Sequence, residues 1–361
     1  MTGSSVRSGS GSVKGFRVGP VSGALRWRPV AVVVVGLVLL VLAAAVSVAR
    51  GDFPIPLGQV LDVLLGGGPR GQRFIVLDLR LPRALTGVFV GAALGVAGAV
   101  FQSVARNPLA SPDILGVTWG AGAGAVTAIT FGGSMGAVGG TVAAVGVPLA
   151  SLAGGLLAGL LVYGLAWRRG IEGFRLVLVG IGVSAVTGNF THYLLTVGDV
   201  TDAARVMVWI TGSLNGRGWE HVVPVGLALV VLIPAALVGT RLLGALQFDD
   251  DTVRGLGVRL DAARSVMLLL AVVLAAVATS AAGPVAFVAL ASPQIALRLA
   301  GTATPPLLGS AVVGGLLVVV SDLVARLAFG GFELPVGVVT AVLGAPYLMY
   351  LLVRSRREAR V

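Results

Sequence analysis

Residues 80–116 read RLPRALTGVFVGAALGVAGAVFQSVARNPLASPDILG, and this stretch decides the fold. Within it, the run 84–104 carries no charged residue. At about 1.5 Å of rise per residue, a helix of that length spans about 31 Å, which is enough to cross the hydrocarbon core of a bilayer. Gly87, Gly91 and Gly95 recur at every fourth position. The stretch therefore predicts a transmembrane helix that a neighbouring helix approaches closely.

A charged, turn-rich loop follows this helix. Proline lacks an amide donor and disfavours helix in the residue before it, so we expect the helix to end near the Arg-Asn-Pro sequence. We interpret the segment as an exit loop on the cytoplasmic side. Its marker residues are Arg106, Asn107, Pro108 and Pro112.

The composition of the chain is that of a membrane protein. Hydrophobic residues make up 56% and charged residues 11%, whereas soluble domains are about 25% charged. The net charge of +11 would suggest a nucleic-acid partner in a soluble chain. Here the basic residues lie mostly between apolar runs, which is the pattern that sets membrane topology, so no nucleic-acid partner is expected. The absence of cysteine excludes disulfides, thiolate metal sites and a cysteine nucleophile.

Ten apolar runs are long enough to be spans. A cleaved signal peptide is the alternative for the first run, which is longer than a usual signal-peptide core. We predict a transmembrane domain over residues 30–353, preceded by a disordered basic cytoplasmic tail, 1–29, and followed by a second basic tail, 354–361. The predicted spans are 30–49, 84–104, 114–131, 141–167, 176–197, 222–243, 265–282, 285–299, 307–328 and 334–353.

The distribution of basic residues predicts the orientation. With the N-terminus in the cytoplasm, most of the 26 basic residues fall on the cytoplasmic side, as the positive-inside rule requires. An even number of spans then returns the C-terminus to the same side. The basic residues expected outside are Arg50, Arg70, Arg73, Arg80, Arg83, Arg205, Arg217 and Arg326.

A short internal repeat is also visible. The sequence LASPDI at 109–114 recurs as LASPQI at 290–295, and at the same offset Arg83 matches Arg264. Each arginine directly precedes an apolar run. Chance is the alternative in a chain so rich in alanine and leucine. A true repeat would relate two halves that are inverted in the membrane, because an odd number of spans separates the copies.

The sequence contains little that suggests catalysis. His192 and His221 have no metal-ligand spacing, and there is no phosphate-binding G-x-x-x-x-G-K-[ST] loop. Asp322 is the one carboxylate that approaches a mid-span position, and Arg326 follows one helical turn later, so we expect the two to pair. We therefore expect no enzyme activity, no cofactor and no resident metal, and an ion-coupled carrier is disfavoured.

The longest internal cytoplasmic loop, 246–264, is a candidate for coupling to a soluble motor. Its acidic run favours the N-terminus of a short helix, 252–256, and a glycine ends that helix. A solvated loop with balanced charges is the alternative. The candidate coupling residues are Asp249, Asp250, Asp251, Thr252, Leu256 and Gly257.

These motifs together resemble the FecCD-type permease subunits of type II ABC importers, which carry ferric siderophores, heme and vitamin B12. The resemblance covers roughly residues 30–353. It implies ten helices in two inverted halves, a bacterial inner membrane location, a second permease subunit, two cytoplasmic ATPases and an extracytoplasmic binding protein. The motifs that carry it are RLPRAL (80–85), GAALGVAGAVFQSVARNPLASPDILGV (91–117), GPVAFVALASPQIALRL (283–299), SDLVARL (321–327) and ELPVGVVTAVLGAPYLMYLL (333–352).

The resemblance also implies roles for individual residues. Arg80, Arg83 and Arg326 match arginines on which glutamates of the binding protein dock, and guanidinium suits bidentate pairing with carboxylate. The segment 249–257 matches the coupling helix, although this chain has an acidic run where the family typically has a Gly-Glu pair.

One motif departs from the commonest family pattern. Most members have Pro-His where this chain has Pro293-Gln294, and the Gln form resembles the ferric-enterobactin-type permeases. The alternative is that Gln and His both simply hydrogen-bond to neighbouring backbone.

The expected function is ATP-driven import of a ferric siderophore by alternating access. A heme or cobalamin permease is the alternative within the family, and an ion-coupled secondary transporter or a membrane scaffold is the alternative outside it. The identity of the siderophore, and the choice between homodimer and heterodimer, stay open.

Overall fold

The computed structural model describes residues 14–18, 21–25, 27–51, 53–132, 141–168, 170, 172–198, 200–255, 257, 259–329 and 332–358. Most of them are helical. The helices are α1 (Trp27–Ala49), α2 (Leu57–Leu64), α3 (Arg70–Arg73), a π-helical segment (Phe74–Arg80), α4 (Leu81–Ala105), α5 (Val117–Gly132), α6 (Thr141–Ala166), α7 (Gly173–Val197), α8 (Val200–Ile210), α9 (Trp219–Val238), α10 (Thr240–Ala245), α11 (Asp250–Gly255), α12 (Leu260–Ala282), α13 (Val288–Ala300), α14 (Leu307–Leu327) and α15 (Val336–Glu358).

The apolar helices coincide with the predicted spans. Among the described residues, seven helical segments are long and apolar enough to cross a membrane, and three shorter apolar helices lie at the remaining predicted positions. The all-helical polytopic fold is therefore confirmed. One predicted span, 222–243, is divided at Gly239 into α9 and α10. Glycine has a low helix propensity, which suits this break.

Two short strands are described within the N-terminal segment. Strands β1 (Lys14–Val18) and β2 (Val21–Leu25) form an antiparallel hairpin in which Phe16 pairs with Gly23. Phenylalanine and valine favour strands, and the intervening Gly-Pro pair favours a turn. Helix α1 then starts at Trp27 rather than at Val30.

Helix α4 lies at the centre of the bundle and packs against α9, α12, α13 and α14. Two of its regularly spaced glycines, Gly91 and Gly95, face the backbone of a neighbouring helix, whereas Gly87 faces side chains. A Cβ atom on Gly91 would overlap the carbonyl group of Gly314, and one on Gly95 would overlap that of Ser310. Both positions therefore need glycine, because two helix backbones are in direct contact there.

We expect Gly91→Ala to destabilise the permease by about 1–3 kcal/mol, since the new methyl group must push α14 away. The matched control is Gly164→Ala, because Gly164 is exposed in α6 and a Cβ there meets open space. Thermal unfolding in detergent measures both variants. An equal loss in the two would show that α4 and α14 are not tightly packed at Gly91.

The two ends of the bundle are distinguished by two ion clusters. At the start of α4, Arg83 contacts Asp322 and Glu333. At the other end of α4, Arg106 contacts Asp250. We call these the Arg83 end and the Asp250 end. Arg264, the repeat counterpart of Arg83, also pairs with Asp250. The two matching arginines thus lie at opposite ends, as an inverted repeat requires.

Candidate functional site

At the Asp250 end, one carboxylate joins three elements of the bundle. Asp250 Oδ1 accepts hydrogen bonds from Arg264 Nη2 at 2.8 Å and from Arg106 Nη2 at 2.9 Å, and its Oδ2 accepts from Arg264 Nη1 at 3.2 Å. Arg106 follows α4, Asp250 begins α11 and Arg264 lies in α12. We call Asp250, Arg106 and Arg264 the Asp250 cluster. It fixes α11 to the ends of two membrane helices.

Arg106 also holds the chain that leads into α11. Its Nε donates to the carbonyl of Leu246 at 2.6 Å, and its Nη2 donates to the carbonyl of Phe248. Arg106 has left-handed backbone angles, with φ of 49°, which turn the chain sharply at the end of α4. The predicted exit loop and the predicted coupling loop are therefore in direct contact.

The short helix α11 has the cap that the acidic run predicted. Asp249 accepts the Thr252 backbone N–H at 3.0 Å and the Thr252 hydroxyl at 2.8 Å. These hydrogen bonds lower the pKa of Asp249. The helix spans Asp250–Gly255, two residues earlier at its start than we predicted, because Asp249 is the capping residue. Gly257 follows with φ of +79°, and Leu256 lies outside the described residues.

Asp250 is charged at neutral pH. Burial opposes its ionisation, but the hydrogen bonds and positive charges of Arg264 and Arg106 outweigh that effect and hold the pKa of Asp250 below its ordinary value. A depressed carboxyl pKa contributes stability above the unfolded-state pKa and loses it as the pH falls through the folded-state value. The Asp250 cluster is thus intact throughout the neutral range.

The rest of the exit loop forms a series of turns. Asn107 Oδ1 accepts the backbone N–H of Leu109 at 2.9 Å, and the carbonyl of Pro112 accepts the N–H of Val117 at 3.2 Å. Between them lies Asp113, which sequence reasoning did not single out. Its carboxylate accepts from the Thr118 hydroxyl at 2.8 Å and from the backbone N–H of Phe287, next to α13. Only the fold brings residue 287 to this loop, so no local pattern predicts the contact.

At the Arg83 end, the arginines expected to dock a partner take part in internal contacts. Arg83 pairs with Asp322 at 2.9 Å and with Glu333 at 3.1 Å. Arg326 pairs with Asp322 at 3.1 Å, which confirms the predicted pair one turn apart, and donates to the Ser47 hydroxyl at 2.6 Å. We call Arg83, Asp322, Arg326 and Glu333 the Arg83 cluster.

Exposure within the Arg83 cluster is uneven. The side chains of Arg83 and Arg326 are 11% and 7% exposed, whereas that of Glu333 is 41% exposed. Arg80 lies beside the cluster and donates to the carbonyls of Val48 at 3.0 Å and Phe53 at 2.7 Å. In this conformation a carboxylate, rather than an arginine, is the most accessible member of the cluster.

Gln294 has a structural contact in the buried region between α4 and α13. Its Nε2 donates to Gln102 Oε1 at 2.7 Å, and Gln102 Nε2 donates to the carbonyl of Leu290 at 3.1 Å. Gln294 thus donates to a side chain, and it is Gln102 that reaches the backbone. Pro293 precedes Gln294 in the interior of α13.

No group of three or more His, Asp or Glu side chains that could hold a metal ion occurs in the part of the chain that the structure describes. His221 is buried at the start of α9, where its ring nitrogens lie 3.0 Å from Arg217 Nη1 and 3.2 Å from Glu220 Oε1.

The apolar helical segments in the described part of the chain and the glycine-lined packing of α4 define a multi-pass α-helical membrane protein. Residues 37–354 match the FecCD transport family. The chain is 40% identical over 319 residues to the ferric enterobactin transport system permease protein FepG of Escherichia coli, covering 88% of this chain and 94% of that protein. It is 38% identical over 354 residues to the achromobactin transport system permease protein CbrC of Dickeya dadantii, covering 97% and 99% respectively.

A solved structure supports the same assignment. The chain is similar to an inward-facing conformation of a metal-chelate type ABC transporter, with a TM-score of 0.76, 26% identity, and coverage of 90% of this chain and 99% of that one. The chain therefore belongs to the FecCD transport family, and it is a transport component of the permease type. The resemblance on which the sequence interpretation depended is confirmed.

Proposed function

We propose that this chain is the permease subunit of an ATP-driven importer that carries a ferric siderophore across the cytoplasmic membrane by alternating access. The observation that carries the proposal is the near full-length match to permeases for ferric enterobactin and achromobactin. The similarity to a metal-chelate type ABC transporter supports the same cargo class. Heme and cobalamin are the less favoured cargoes.

The proposed assembly places partners at both ends of the bundle. A second permease subunit completes the pathway, two ATPases bind at the Asp250 end, and the binding protein docks at the Arg83 end. Both termini then lie in the cytoplasm. Helix α11 supports the ATPase assignment, since it is a short capped helix held by Arg106 and Arg264 against α4 and α12. A displacement of α11 by an ATPase would be transmitted to both helices.

The cargo assignment is tested by reconstituting the complex with its binding protein and measuring substrate-stimulated ATPase. Ferric catecholates, ferric hydroxamates, heme and cobalamin are compared at equal concentrations. We expect stimulation by a ferric siderophore. Stimulation by heme or cobalamin alone would assign the chain to the alternative cargo class.

Docking at the Arg83 end can be tested through Glu333. This carboxylate pairs with the Arg83 guanidinium, which an incoming glutamate of the binding protein would have to contact. We expect Glu333→Gln to tighten binding-protein association several-fold, since it removes the competing carboxylate and leaves Arg83 held by Asp322. The matched control is Glu220→Gln, a 51% exposed carboxylate at the start of α9. Binding is measured by surface plasmon resonance on nanodiscs, and it should weaken as salt rises.

Two results would contradict the proposed docking mode. Unchanged affinity in Glu333→Gln would mean that Arg83 does not receive a partner carboxylate. Reduced affinity would mean that Glu333 itself contacts the binding protein.

A further inference from the structure

A cavity of about 450 Å³ opens at the Arg83 end. Glu333 is the member of the Arg83 cluster that lines it. Its wall comes from the end of α8, the segment that follows α8, and the residues that lead into α15. The lining residues that carry charge, hydrogen-bonding groups or an aromatic ring are Arg205, Trp209, Ser213, Asn215, Arg217 and Glu333. We call this cavity the Arg217 pocket.

The charge of the Arg217 pocket is positive. Arg205 and Arg217 both line it, and Glu333, the carboxylate among its described lining residues, is paired with Arg83 at 3.1 Å. Burial lowers the pKa of Arg217, and the negative charge of Glu220 opposes that effect. Because the pKa of an arginine lies far above neutral pH, Arg217 keeps its positive charge. The pocket therefore favours an anionic occupant.

Arg217 is held in place rather than extended into solvent. Its Nε donates to the carbonyl of Ser213 at 3.3 Å, and its Nη1 lies 3.0 Å from His221 Nε2. A guanidinium fixed in this way loses little conformational entropy when it binds an anion. Trp209 supplies an aromatic surface in the same wall. Planar aromatic ligands pack favourably on such a surface.

A second cavity of about 400 Å³, which we call the inner cavity, lies next to the Arg217 pocket. Thr211 and Gly337 line the inner cavity, whereas their near neighbours Ser213 and Pro335 line the outer one. A hydrogen bond of 3.1 Å from the Gly337 N–H to the Gly212 carbonyl joins the two segments that separate them. The described residues that line the inner cavity include no arginine or lysine, so an anion is favoured in the outer pocket and not in the inner one.

Building on the proposed function, we infer that the Arg217 pocket is the reception site for an anionic ferric chelate released by the binding protein. The ligand class is an iron complex whose outer oxygens carry negative charge. Three doubly charged catecholates around Fe³⁺ leave a trianion, whereas three singly charged hydroxamates leave a neutral complex. The pocket thus selects catecholate-type and related anionic chelates over neutral ones.

The test measures uptake into proteoliposomes that contain the full complex with its binding protein. Ferric enterobactin serves as the anionic tris-catecholate, and ferrichrome serves as the neutral trihydroxamate. The variants are Arg205→Gln, Arg217→Gln and Arg217→Lys. The control is Arg73→Gln, an exposed arginine in α3 at the same end of the bundle.

We expect each Gln variant to raise the KM for the anionic chelate about tenfold, which corresponds to about 1.4 kcal/mol, with kcat and maximal ATPase unchanged. Arg217→Lys should retain most of the wild-type KM because it keeps the charge. The KM for any neutral chelate that is transported should not change. Should Arg217→Gln fail to fold, the exposed Arg205 and the charge-retaining Lys variant still measure the effect.

Three outcomes would overturn the inference. An unchanged KM for the anionic chelate in both Gln variants would do so, as would an equal rise for anionic and neutral chelates. Wild-type transport of the neutral chelate alone would also contradict it. If the wild-type complex moves no ferric chelate while it transports heme or cobalamin, the proposed function itself fails, and the inference falls with it.

Discussion

Asp250→Asn is expected to reduce ATP-driven uptake at least about tenfold while the permease still inserts and assembles. The substitution removes the charge that holds Arg106 and Arg264 together, so α11 is no longer fixed to α4 and α12. Arg264 is 9% exposed and would be left without this carboxylate, at a cost of about 1–3 kcal/mol. Uptake and ATPase activity are measured on the same proteoliposomes. We expect ATPase activity to persist while transport is lost.

Glu172→Gln provides the matched control for this experiment. Glu172 lies at the same end of the bundle, directly before Gly173, which contacts the last residue of α4, and its side chain is 68% exposed and pairs with Arg175 at 3.0 Å. Exposed pairs of this kind contribute about 0–1 kcal/mol, so uptake should stay near the wild-type rate. Equal uptake by the Asp250 and Glu172 variants would show that the Asp250 cluster does not transmit movement.

The second large effect is expected from Asp322→Asn, which should destabilise the permease by about 3–5 kcal/mol. Asp322 is 2% exposed and balances both Arg83 and Arg326, so its neutralisation leaves two nearly buried guanidinium groups short of negative charge. We expect a clear drop in the thermal unfolding temperature in detergent. It should be accompanied by a lower yield of folded protein.

Glu333→Gln serves as the control for stability at this end. Glu333 is 41% exposed, and Arg83 keeps its contact with Asp322 when Glu333 is neutralised. The unfolding temperature should therefore fall only slightly. An Asp322→Asn protein as stable as wild type would show that the Arg83 cluster is not the ion network that holds α4 to α14.

Much of the fold was predictable because its signals are local. The apolar length of each span, the glycine spacing of α4 and the acidic cap of α11 are each contained within one stretch of sequence. The ends of the helices were predicted less accurately, because capping depends on backbone geometry. Asp249, for example, caps α11, so the helix begins at Asp250, two residues before the predicted start.

The contacts of the candidate sites were predictable only in part, because they join residues far apart in sequence. The Arg326–Asp322 pair lies one helical turn apart and was predicted, whereas Arg83 reaches Asp322 across 239 positions. Gln294 likewise meets Gln102 across 192 positions. Residue type alone indicated that the arginines were important, but only the packing of α4 against α14 revealed that their charges are already balanced.

We propose that ATP hydrolysis on partner subunits drives this permease, and one measurement tests that proposal most directly. Proteoliposomes with the permease, its ATPases and its binding protein are loaded with ATP, and uptake of a radiolabelled ferric siderophore is followed with and without ionophores that collapse ion gradients. We predict uptake that requires ATP and active ATPases and that persists with the ionophores. Uptake that continues with inactive ATPases and stops with the ionophores would contradict the account.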